Sequence, residues 1–240
     1  MTKKHILFFA FLSGLLAGLC ISLETKELKE PKSPAVATTE ATHQETKNLP
    51  RMEPLMWEKN NPARKQWSEY LYTQIEKSFD ILDSADDMEY FCSNYKALSN
   101  YQKINVWGQL FAVMAFYESS FNPSIRHVEP MSEIDPVTKS PIVSEGLLQL
   151  GYSDILYHGC NFDWDADSQL DVNDPKKSIF NPYKNLNCGV KIMTNQIKKH
   201  GSIIIDRGAY WAVIKTGYRN EKLTEIKNIV SKYYMCNDYE

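Results

Sequence analysis

The 240-residue sequence has neither a G-x-G-x-x-G nor a G-x-x-x-x-G-K-S/T run, the usual signals of a dinucleotide or nucleoside triphosphate site. It has no C-x-x-C and no closely spaced pair of histidines, so no metal centre is expected and no cofactor is implied. A basic stripe is also missing. The formal charge is −3, and becomes −5 once Lys3 and Lys4 are set aside with an export signal, so nucleic acid is not an expected partner. No internal repeat is present. The longest apolar run, Ile6 to Leu19, is short of the roughly 20 residues a membrane-spanning helix needs.

What is present begins with that run. Lys3, Lys4 and His5 ahead of it match the charged and apolar regions of a secretory signal peptide, expected over residues 1–22. Its end reads two ways. LLAGLC resembles a lipoprotein signal that would tether the product to a membrane through a lipidated Cys20, although Leu19 stands where a small residue is expected. Cleavage after Ser22 would release a free product. The expected location is accordingly exported: periplasmic, outer-membrane-associated or secreted, as a monomer. Residues 23–60, rich in Lys, Glu, Thr and Pro, are expected to be a flexible linker, and 61–240 the folded domain.

Four cysteines remain in that domain, and in an exported chain an even count favours disulfides. Of three connectivities, Cys160 with Cys188 and Cys92 with Cys236 is preferred. The first bond would close an insert between two core helices and the second would tie the C-terminal tail to an early helix.

The pattern is helical from Asn61 on. Asn61-Pro62 is a cap and first-turn pair, followed by Trp67, Leu71, Ile75 and Phe79 at spacings of four. Asp86-Asp87 are expected to open a second helix carrying Met88, Phe91, Tyr95 and Leu98. Asn181-Pro182 begins another, through Leu186, Val190, Met193 and Ile197 to a cationic end and Gly201. Further helices are expected near 205–215 and 221–235. Two polar segments, 124–139 and 158–178, have no period. Asp163, Asp165 and Asp167 in the second have the alternation of a calcium loop, but the glycine and the closing glutamate are missing, so helix caps or solvated loop are expected.

Residues 104–123, INVWGQLFAVMAFYESSFNP, form the helix on which a functional reading depends. Val106, Trp107, Leu110, Phe111, Val113, Met114 and Phe116 cover more than one side, so the helix should be buried. Glu118 on its last turn is then carried inward. Burial and the negative end of the helix both disfavour a charged carboxylate, as a general acid requires. A lone Glu elsewhere would read as a surface acid or a salt-bridge partner.

AFYESSFNP is followed in order by KSPIVSEGLLQL (139–150), FNPYKNLNCGVKIM (180–193) and GAYWAVIK (208–215). Together these resemble the soluble lytic transglycosylase family, which shares the lysozyme-like fold with goose-type lysozymes. The resemblance implies a mainly α, lysozyme-like single domain. It implies an exported enzyme that cleaves the β-1,4 bond between N-acetylmuramic acid and N-acetylglucosamine in peptidoglycan strands. Glu118 would be the acid and then the base, with Ser140, Gln149, Asn185 and Tyr210 as substrate-binding residues. Asn185 would also hold backbone near the site. In this reaction the C6 hydroxyl of the muramic acid attacks its own anomeric carbon, so one carboxylate suffices.

A hydrolytic muramidase, on acetylated or deacetylated glycan, would need a second carboxylate to activate water. Glu129, Glu133, Asp135 and Glu145 are the candidates, Glu145 foremost, and its plain reading is an exposed acid at a helix start. Trp211 departs from the family pattern, which has asparagine there; it would stack on a sugar or fill the core. A wall-binding protein without catalysis on the same fold is a third reading.

Overall fold

The computed structural model describes residues 52–128, 133–217 and 221–237. The expected export signal, Cys20 and the expected linker up to Arg51 lie outside them, as does Glu129. Among the described residues seven α-helices, α1 (Lys65–Lys77), α2 (Phe79–Leu82), α3 (Asn100–Ser119), α4 (Asp154–His158), α5 (Trp164–Asp167), α6 (Pro182–His200) and α7 (Leu223–Val230), are joined by loops and short 3₁₀ turns. One antiparallel hairpin pairs β1 (Arg126–Val128) with β2 (Val143–Glu145), Arg126 opposite Glu145. None of the described helices is long and apolar enough to cross a membrane.

Helix α3 is the centre of the packing. Ser99 opens it with a capping box: its hydroxyl accepts the Gln102 N–H while the Gln102 side chain accepts the Ser99 N–H at 3.0 Å. From Ile104 to Ala115 every residue is buried, with α1 and α7 against it and α6 across α1. Such a helix is held by tertiary packing rather than by one apolar stripe. Asn181 caps α6 through the N–H groups of Tyr183 and Lys184, and Gly201 at φ +73° ends it behind Lys198, Lys199 and His200.

Three expectations are corrected. The packed domain begins before Asn61, because Leu55 and Trp57 are buried against α3 and Asn105 exchanges hydrogen bonds with the Glu53 backbone. No α-helix opens at Asp86-Asp87. Asp87 turns its carboxylate to the N–H groups of Ile203 and Ile204 at 2.9 and 2.7 Å, leaving 3₁₀ turns at Met88–Tyr90 and Tyr95–Ala97. For the same reason 205–215 is not helical: its β-branched approach is pinned by Asp87, Gly208 sits at φ +79°, and only Ala212–Ile214 makes a 3₁₀ turn.

Cys92 is bonded to Cys236, and Cys160 to Cys188. The second bond ties the 158–178 segment to α6. Asp163 caps α5 by accepting the Ala166 N–H, whereas buried Asp167 makes tertiary links, accepting from Ser178 and from the Tyr152 hydroxyl.

Candidate active site

Glu118 lies half-buried on the last turn of α3. Just beyond it the chain reverses through two successive left-handed residues, Ser120 at φ +51° and Phe121 at φ +63°, a conformation that costs an aromatic residue free energy. Surrounding contacts hold the turn. Ser120 N–H returns to the Phe116 carbonyl, and Arg64 Nη2 donates to the Phe121 carbonyl at 3.1 Å while its guanidinium lies over the Trp67 and Phe121 rings. The turn that follows Glu118 is thus held from the residue ahead of α1 as well as by α3.

Residues 146–150 form a tightly held loop after β2. Gly146 has φ +81°, and a Cβ there would fall 2.4 Å from Asn185 Nδ2, so only glycine fits. Asn185 is wholly buried and spends its amide on backbone: Oδ1 accepts Leu148 N–H at 2.9 Å, and Nδ2 donates to the carbonyls of Glu145 and Ile179. It therefore positions the loop and does not touch a sugar, which corrects the expected substrate contact. Leu148 packs where Gly189 leaves room on α6, a Cβ there lying 2.3 Å from its methyl. Gln149 is half-buried, with Nε2 donating to the Gly146 carbonyl at 3.0 Å. Trp211 is buried, its indole N–H donating to the Leu148 carbonyl. Of its two expected roles, the core one is realised.

Tyr210 comes to this loop from the far end of the domain. Its hydroxyl donates to Asp154 Oδ2 at 2.6 Å, and the same oxygen accepts Gly151 N–H at 2.9 Å. Burial first, then Asp154, push the phenol well above its ordinary value, and the charge of Glu118 adds to the effect, so tyrosine and glutamate lie within electrostatic reach. Burial also raises the Asp154 carboxyl, against the opposing hydrogen bonds from Tyr210 and Gly151.

Glu145 is neither exposed nor at a helix start. It sits on β2, 2% exposed, with Oε1 2.5 Å from Lys177 Nζ and 3.5 Å from Arg126 Nε. Burial raises its carboxyl while both cations oppose the shift. With Ser140, which is exposed, it lines a cavity of about 180 Å³ floored by Tyr152 and Trp164; Glu118 does not line it. Asp135 is buried and accepts the N–H groups of Val137, Thr138 and Ser153, while Glu133 is exposed. Sequence reasoning missed Asp154, Lys177 and Arg64. Each acts through a partner more than 30 residues away, and no local pattern marks such a residue.

Residues 97–229 match the family model described as the transglycosylase SLT domain. Among solved structures, wild-type DslA matches with TM-score 0.64 and 24% identity, covering 78% of this chain and 100% of that one. Two DslA variants match over the same shares, at 24% and 23% identity and TM-score 0.64; each carries a Glu-to-Gln change, at positions eleven apart. At this identity the likeness shows the lysozyme-like fold. No curated protein matched.

Proposed function

We propose, from the premise that this chain belongs to the transglycosylase SLT domain family, that it is an exported enzyme cleaving the β-1,4 bond between N-acetylmuramic acid and N-acetylglucosamine without hydrolysis. Family membership supports lytic-transglycosylase-type action on peptidoglycan. The observation that carries the finer reading is Glu118: a half-buried carboxylate at the end of a buried helix, with Tyr210 in electrostatic reach.

In this reading Glu118 gives its proton to the glycosidic oxygen as the C1–O4 bond breaks, and the N-acetylglucosamine leaves with that proton as its 4-hydroxyl. The carboxylate then takes the proton of the muramic acid C6 hydroxyl as O6 bonds to C1, which closes the 1,6-anhydro ring and restores the acid. Gln149 and Ser140 contact the glycan, and Glu145 acts as a structural ion-pair partner. Two disulfides suit an oxidising compartment. The signal peptide over 1–22 and the tether through Cys20 belong to the same proposal.

A second reading, hydrolysis, is favoured by one observation. Glu129 follows Glu118 by the interval that separates the two glutamates changed in the DslA variants. Glu129 would then be the base that activates water.

Digestion of native and N-deacetylated wall, with mass analysis of products, tests both. Anhydro-muramyl ends support transglycosylation. Reducing ends alone, lost in Glu129→Gln, support hydrolysis. Equal turnover by Glu118→Gln would overturn the assignment of Glu118 in both, and binding without any turnover by the wild type would leave a wall-binding role.

A further inference from the structure

The chain between α4 and α6 carries an aromatic ring that is firmly supported from within. Cys160 bonds the start of this segment to Cys188 on α6, Phe162 is buried with its ring 6.2 Å from that of Tyr152, and Trp164 lies 4.7 Å from the same Tyr152 ring. Tyr152 is itself fixed, since its hydroxyl donates to Asp167 Oδ2 at 2.8 Å. Trp164 is the most exposed of the three rings, and it borders two cavities: the one of about 180 Å³ that Ser140 lines, and a second of about 350 Å³ bounded by Asn161, Asp163, Asp165 and Lys184. Its indole N–H has no hydrogen-bond partner among the described residues.

The two linings have the chemistry of a sugar site. In the first cavity the buried charges are engaged with protein groups: Lys177 with Glu145, which also has Arg126 at 3.5 Å, and Asp167 with Ser178 and Tyr152. An incoming group therefore meets the exposed hydroxyls of Ser140 and Ser168. In the second cavity an amide, two carboxylates and an ammonium offer donors and acceptors of mixed sign, and the side chains of Asn161, Asp165 and Lys184 make no hydrogen bond to the described residues. A phosphate would face two carboxylates there, and an apolar partner would bury polar groups without compensation. A pyranose suits both sides of the ring, with its C–H face on the indole and its hydroxyls reaching the polar rims.

We propose that Trp164 is the platform of an outlying saccharide site, which holds one sugar of a glycan strand apart from the bond being cleaved, the strand running from Ser140 past the indole into the second cavity. The inference rests on the reading that the chain acts on peptidoglycan with Ser140 as a glycan contact, and it is independent of which carboxylate supplies the proton. Binding at a distance from the reacting centre is shared by the bound substrate and the transition state. It lowers KM for strands long enough to reach the ring and leaves kcat alone, so strand length becomes a property that the enzyme selects.

The test uses peptide-free glycan strands, isolated from wall and sorted by length, cleaved by the full chain. Trp164→Ala should raise KM for long strands by about tenfold with kcat kept within about twofold, and the difference from wild type should vanish for strands too short to reach the ring. Trp164→Tyr should recover most of the affinity, and Tyr157→Ala, whose side chain is exposed and borders neither cavity, should leave KM in place. A merely structural Trp164 would lower the rate equally at every strand length. That outcome, or an unchanged KM at every length in folded Trp164→Ala, overturns the inference and leaves the proposed reaction standing. Absence of any cleavage by wild type would overturn the reaction instead; retention of the same strands by wild type and by Trp164→Ala then reads the platform, and equal retention overturns it. If Trp164→Ala does not fold, Asn161→Ala with Asp165→Ala, both exposed side chains, should raise KM for long strands by about threefold, and no change there is equally decisive.

Discussion

The indole N–H of Trp211 donates to the carbonyl of Leu148 at 2.9 Å, tying the C-terminal third of the domain to the 146–150 loop. The family resemblance puts asparagine at this position, and here a buried ring supports the same loop. Trp211→Phe keeps most of the packing but strands a buried carbonyl, so a loss of about 1–3 kcal/mol is expected in denaturant unfolding. Wall cleavage should fall with it, because the 146–150 loop loses one of its supports.

Asn185 supports that loop from the other side. Asn185→Ala removes three hydrogen bonds and leaves Leu148 N–H and two carbonyls buried without a partner. It should be more damaging than Trp211→Phe, by about 3 kcal/mol or more, and Asn185→Asp should not rescue it, since a carboxylate cannot donate to the Glu145 and Ile179 carbonyls. Thermal unfolding of the three proteins checks the order.

Lys177 and Glu145 form a buried ion pair, with side chains 6% and 2% exposed. Glu145→Gln alone or Lys177→Met alone should cost about 3–5 kcal/mol, whereas Glu145→Leu with Lys177→Met together should be much less destabilising. Folded Glu145→Gln should still cleave wall. Complete loss of cleavage in a folded Glu145→Gln protein would return Glu145 to the list of catalytic acids.

Burial holds the Asp154 carboxyl above its ordinary value, so the folded state binds that proton more tightly than the unfolded chain does. Where the folded state holds more protons, unfolding free energy falls as pH rises. This group's contribution is therefore lost between the ordinary carboxyl value and its raised folded value. Asp154→Asn cannot ionise. Relative to wild type it should gain stability as pH is raised from 4 to 8, read as the difference in Tm at each pH.

Helix α3 was legible in the sequence through its apolar run and the Ser-Phe-Asn-Pro stop, but its start was read at Ile104, four residues late, because the Ser99–Gln102 capping box lies in a polar stretch ahead of that run. Helix α6 was legible from end to end, from Asn181-Pro182 to Gly201. The 86–98 and 205–215 segments were misread together, since Asp87 and the Ile203–Ile204 backbone determine each other across more than 100 residues. Glu145 looked like a free acid because its partner Lys177 is 32 residues on, and Asn185 looked like a sugar contact because its burial is tertiary. Met52–Asn60 reads as linker by composition, yet two large side chains, Leu55 and Trp57, anchor it in the core.

The most direct measurement is product analysis of purified peptidoglycan digested by wild type and by Glu118→Gln, the variant first shown to be folded with both disulfides formed. Wild type should release fragments with 1,6-anhydro-muramyl ends and the variant should release none. Fragments released by Glu118→Gln at the wild-type rate, or reducing ends alone from wild type, would contradict a one-carboxylate transglycosylase built on Glu118.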